Sequence, residues 1–167
     1  MNEDDLCRLF AEKMAASEDF KNWVLSQTTF GQHRFASRVL KDAQILARPK
    51  VKPENWWRHW YWQIPELEKE HETDIFLVLK NTDSGEYFAL HIENKLNSKL
   101  RPGQAASYKP RSLHVAAFDT RLPHREATTI LLAPARLFQA CSEDVALFDS
   151  AISHEQVAVF ISEFETG

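Results

Sequence analysis

"TDIFLVLKNTDSGEYFALHIENK", residues 73 to 95, decides the fold. Two runs, 74–80 and 86–94, are apolar for most of their length and rich in aromatic and β-branched residues, the composition of buried strands. Asn, Asp, Ser and Gly crowd the five residues 81–85 between them and mark a hairpin turn. With the turn centred between Asp83 and Ser84, opposite residues have numbers that sum to 167. Asp74 then lies opposite Glu93, with Cβ atoms about 4.5–5.5 Å apart. Lys95, two residues beyond Glu93, returns to the same face.

Two acids so close repel each other unless something positive lies between them. The arrangement suits a hard cation held by a few oxygens: Mg²⁺ is expected, with Mn²⁺ able to substitute. Such an ion polarises a phosphodiester and lowers the pKa of a bound water, while Lys95 orients that water and offsets charge on the phosphorus. The plain alternative is a Glu–Lys–Asp salt bridge at a sheet edge. His91 falls on the Glu93 face, either as a further ligand or as a satisfied histidine beneath the site. Glu72 flanks Asp74 and could serve a second metal, although "ELEKEHE" otherwise reads as a solvated charge run.

The gross composition narrows the class. A chain of 167 residues, 44% hydrophobic and 26% charged, suits one globular domain with its own core. "MNEDDLCRLF" is acidic where a secretory signal needs positive charge, and no apolar run has the length of a membrane span. Cys7 and Cys141 stand apart without CxxC spacing, which argues against a disulfide framework and against structural zinc. A cytoplasmic, reduced protein with no membrane partner is expected, and a homodimer is compatible with it. The net charge is −4, yet residues 95–125 hold seven Lys and Arg against Asp119 alone, a local +6. Such a segment is either a phosphate-binding face or a solvated surface with its counter-charges elsewhere.

Around the hairpin the pattern alternates. Residues 1–50 read as helical: Asn2 and Ser17 are N-caps, Leu6, Leu9, Phe10 and Met14 keep helical spacing, and a further helix spans about 33–46. "NWWRHWYWQI", 55–64, holds four of the five tryptophans and predicts core cover with a first strand ending near Pro65, although aromatics beside Arg58 and His59 could also stack bases. A helix opens at Gln104, a strand covers 127–133, a short helix follows Pro134, a strand lies near 146–150, and a last helix is capped by Ser153. The chain divides into a helical part of about 1–50, a core of about 56–135 and a closing strand and helix of about 136–164, within one domain. The class is α/β with a mixed sheet.

Asp74, the hairpin, Glu93-Asn94-Lys95, and Gln104 with Tyr108 four residues on resemble, in this order, the PD-(D/E)XK nuclease superfamily. The resemblance covers roughly residues 72–108, and Thr73 stands where the named motif has its proline. It implies a restriction-endonuclease-like core: a mixed central sheet flanked by helices, with the site on a hairpin. It implies metal-dependent hydrolysis of DNA phosphodiesters, serving defence, repair or mobile elements. Asp74 and Glu93 would be the metal ligands, Lys95 the residue beside the water, and Gln104 and Tyr108, with the basic Lys99 and Arg101, the substrate-binding set. Gln104 could instead support the acids. Many branches add a first-helix glutamate, but Glu12 projects roughly 130° from the apolar stripe and is not assigned. The competing classes are an inactive binding or scaffold module on the same fold and a related hydrolase acting on RNA.

Overall fold

The computed structural model describes residues 1–65, 67 and 70–165, without the side chains of residues 70 and 71. Two helices open the chain, α1 (Glu3–Ala16) and α2 (Glu18–Ser26). Asn2 caps α1 in a reciprocal box with Asp5, and Glu3, Asp4 and Asp5 place negative charge at the positive end of its dipole. A 3₁₀ turn over Gly31–Ala36 leads to β1 (Ser37–Val39) and then α3 (Lys41–Ala47). The helix expected over 33–46 is therefore broken by a strand. Its cause lies elsewhere in the chain: the hairpin's first strand, β4 (Ile75–Asn81), has an outer edge whose backbone needs partners. β1 pairs with residues 79–81 of that edge, and the Leu40 N–H donates to the Val78 carbonyl. Beyond β1 the Gln44 side chain substitutes for a strand, accepting from Val78 N at 2.8 Å and donating to the Phe76 carbonyl at 2.9 Å.

The tryptophan stretch forms β2 (Trp60–Gln63), which pairs antiparallel with β3 (Glu70–Thr73) in a separate two-stranded sheet. Trp56, Trp57, Trp60 and Trp62 are all buried, so the stretch covers core as composition suggests. Arg48 fixes it, with its guanidinium 3.7 Å from the Trp60 ring centroid and donating to the carbonyls of Asn55, Trp56, Arg58 and His59. Part of "ELEKEHE" lies outside the described residues; its end, 70–73, is the strand β3.

β4 turns back into β5 (Tyr87–Asn94), followed by α4 (Gln104–Phe118), β6 (Glu126–Ala133), α5 (Ala135–Ala140), α6 (Ser142–Val145), β7 (Ser150–Ser153) and α7 (His154–Ala158). The five-stranded order is β1-β4-β5-β6-β7, antiparallel through β5 and parallel from β5 to β7, so the sheet is mixed. Both faces are covered, which is why β4 reads as an unbroken apolar run. Ile75, Leu77, Leu90 and Ile92 meet Leu6 and Phe10 of α1 and Phe20 of α2 on one face. Phe76, Val78 and Ala89 meet Trp60, Trp62 and Val115 on the other. The strand expected near 146–150 begins only at Ser150. Before it, Phe148 turns inward onto Tyr108 of α4, with ring centroids 5.1 Å apart. Among the described residues no helix is long and apolar enough to cross a membrane.

Candidate functional site

The β4–β5 ladder pairs Ile75 with Ile92, Phe76 with His91 and so on to Lys80 with Tyr87, every pair summing to 167. This is the register expected from the turn, and it brings Asp74 near Glu93 where the ladder ends, with the Glu93 side chain against α4. Asp74 Oδ2 accepts the Asn94 N–H at 3.0 Å, and its second oxygen has no hydrogen bond among the described residues. Burial, and then the charge of Glu93, push the Asp74 carboxyl well above the usual range.

Glu93 is 1% exposed in its side chain and takes three donors. Oε1 accepts from Gln104 Nε2 at 2.5 Å and from Lys95 Nζ at 2.7 Å, and Oε2 accepts from the Tyr108 hydroxyl. Burial first, then Glu93, raises the Tyr108 phenol, so it stays protonated and donates. Burial alone would lower Lys95, but Glu93, followed by Asp74 and Glu3, outweighs it, and the ammonium is held charged. Gln104 is fixed from both ends, because its Oε1 accepts the Arg101 N–H at 3.0 Å. The sharp turn that starts α4 needs Gly103, whose φ is 77°.

Several sequence-based expectations change here. Tyr108 is fully buried, with its hydroxyl on Glu93, so the ring packed beneath α4 supports the acid and does not face a substrate. His91 is fully buried beneath the acids, 3.3 Å from Thr73 Oγ1 through Nδ1 and wedged beside Trp62 and Phe76. Burial, then Arg111 and His124, hold it well below its usual pKa, which makes it a neutral histidine under the site. Glu72 points away, 3.0 Å from His59 Nδ1. The basic segment is not one face: Lys109 pairs with Asp149 at 2.7 Å, Arg121 with Asp119 at 2.9 Å, and Arg111 is buried. Lys99 and Arg101 are exposed and carry no ion pair among the described residues.

A third carboxylate was not found from sequence. Glu3, in the first turn of α1, accepts the Leu96 N–H at 2.9 Å, and its main-chain carbonyl accepts from Asn94 Nδ2 at 3.3 Å. Its charge acts on both Asp74 and Lys95. Glu12 has a different role, accepting from Trp56 Nε1 at 2.8 Å and Lys41 Nζ at 2.6 Å. Asn94 ties the elements together from the opposite face: Nδ2 also reaches Cys7 Sγ at 3.3 Å, and Oδ1 lies 2.9 Å from His154 Nε2.

With Glu93 turned onto its donors, no three His, Cys, Asp or Glu side chains form a ready coordination sphere among the described residues. One oxygen donor at the acids is left open. Asp74 offers an uncommitted oxygen, and of the two causes that raise its pKa, burial first and Glu93 second, a cation there would offset the second. No family model, curated protein or solved structure matches the chain.

Proposed function

We propose that the protein is a metal-dependent nuclease of restriction-endonuclease-like architecture, hydrolysing DNA phosphodiester bonds. The observation that carries this reading is the convergence of Asp74, Glu93 and Lys95 at one hairpin end, with Gln104 and Tyr108 of the next helix on the second acid. A surface salt bridge explains neither the burial of Glu93 nor its three donors. Asp74 and Glu93, with Glu3 at the rim, would hold Mg²⁺ or Mn²⁺, which supplies Lewis-acid polarisation of the phosphate and a more acidic water. Gln104 and Tyr108 keep the Glu93 carboxylate in one orientation, so little reorganisation is needed during reaction. Lys95, released from Glu93, would hold the attacking water and stabilise charge developing on the phosphate oxygens. Lys99 and Arg101 stand beside the start of α4, whose N-terminus has no side-chain cap and favours anions. That makes this rim the phosphate-binding side.

The saturation of Glu93 favours one second reading, a binding module in which Lys95 serves as a permanent internal cation. One experiment separates the two: calorimetric titration with Mn²⁺ beside cleavage of linear, circular and single-stranded DNA and of RNA, in Mg²⁺, Mn²⁺ and EDTA. The nuclease reading expects metal binding, and cutting that EDTA stops. A wild-type protein that binds no divalent ion and cuts nothing, yet retains DNA in EDTA, is a binding module. Cleavage confined to RNA would keep the chemistry and move the substrate.

A further inference from the structure

Arg111 is 1% exposed, and no carboxylate lies within ion-pair distance of it among the described residues. A guanidinium cannot shed its proton, so a fully buried one without a direct partner carries a heavy desolvation cost. Its contacts indicate what offsets that cost. Nη1 donates to the Glu72 carbonyl, two residues before Asp74, and Nη2 donates to Ser107 Oγ at 3.3 Å. Its face lies 4.0 Å from the Tyr108 ring centroid, and the Tyr108 hydroxyl is on Glu93. One buried cation therefore touches the chain on the approach to each acid.

We infer that Arg111 is the positioning residue of the site: it fixes the segment leading into Asp74 and the phenol that orients Glu93. The inference rests on the assignment of Asp74 and Glu93 as a functional pair. A plain packing role, docking α4 on β3, predicts something else: loss of Arg111 would loosen all nearby backbone alike. A positioning role predicts a selective effect on the acids. The hydrogen bond from Asn94 N–H to Asp74 reports the placement of Asp74. The neighbouring Lys95 N–H, which donates to the Leu132 carbonyl of β6 at 2.8 Å, serves as an internal control.

The test measures amide hydrogen exchange by NMR in the metal-free protein, for wild type, Arg111→Lys and Arg111→Met, with Mn²⁺ calorimetry on the same samples. Arg111→Lys keeps the charge but loses the fork that reaches Glu72 and covers Tyr108. The expected result is an Asn94 amide exchanging about tenfold faster relative to Lys95 in both variants. Mn²⁺ affinity should be about 10–100-fold weaker, as for other groups that orient metal ligands. If Arg111→Met does not fold, the lysine variant supplies the comparison. An unchanged Asn94-to-Lys95 ratio in a folded variant overturns the inference, and so does a general loss of protection in which all amides move together. A wild-type protein that neither binds Mn²⁺ nor cuts would sink the nuclease reading alone, because the exchange comparison needs no metal.

Discussion

Asp74 holds a conflict in the metal-free protein: a carboxyl raised by burial and by Glu93 resists the ionisation that neutral pH demands. The sign of its effect follows from linkage. A folded-state pKa above the unfolded value of about 3.9 contributes stability that is full below that value and is lost as pH rises through the folded pKa. The wild type loses that contribution as pH rises through the folded pKa, whereas Asp74→Asn keeps it at every pH. Without metal, the melting temperature of Asp74→Asn should therefore gain on that of the wild type as pH rises, by roughly 2–4 °C per kcal/mol released in a chain of this size. The advantage should fade as the buffer approaches pH 4. Saturating Mn²⁺ should reverse the order, because only the wild type gains binding free energy. Thermal scans across pH with and without the ion check this, and a difference between the two proteins that does not grow with pH in the absence of metal would remove the conflict from the account. Glu3→Gln belongs to the same set: it should weaken Mn²⁺ by roughly the tenfold typical of a ligand-supporting group while leaving the melting temperature nearly unchanged.

The hairpin was legible in the sequence because a short turn fixes register, and register fixes which side chains meet. β1 was not legible, since three residues gain strand character only from the open edge of β4. Glu3 was hidden for a similar reason. It reads as an ordinary acid in a helix's first turn, and what brings it to the site is a pair of hydrogen bonds with Asn94 and Leu96, separated from it by 91 and 93 positions. Gln104 and Tyr108 were visible as a pair one helical turn apart, but only the packing of α4 shows that both serve Glu93. Asn94 is the joint between these elements, linking β5 to α1 and to His154 of α7. Asn94→Ala should cost about 1–3 kcal/mol, the range for buried partners left without a hydrogen bond, measured by urea unfolding. Burial pushes His154 down to about 4. A histidine depressed in the fold loses stability as pH falls below its unfolded value near 6.5, so denaturation midpoints should decline from pH 6.5 towards 4. His154→Gln should flatten part of that decline; an unaltered profile would show that this histidine does not report the joint.

Across the whole molecule the basic segment divides by role, and nucleic-acid binding should divide with it. Lys99→Ala with Arg101→Ala should weaken DNA binding irrespective of sequence and flatten the slope of log K against log salt by about 0.9 for each phosphate that is no longer neutralised. Lys109→Ala removes a partner of Asp149 and should act on stability, with the slope unchanged. Equal slopes for the wild type, the double variant and Lys109→Ala would deny the rim its role. The charges around the acids also have a sum. With all three carboxyls ionised, Glu3, Asp74 and Glu93 against Lys95 and Arg111 leave one net negative charge at the end of the sheet. A divalent ion turns that into one net positive charge, and a phosphodiester returns it to zero. In a nuclease built on this cluster neither guest is at home alone, and each should raise the affinity of the other by the same factor, as thermodynamic reciprocity requires. Mn²⁺ titrated with and without an uncleavable phosphorothioate strand would measure that mutual preference, and the arrangement of Arg111 beneath the acids makes it a property of the fold before any bond is broken.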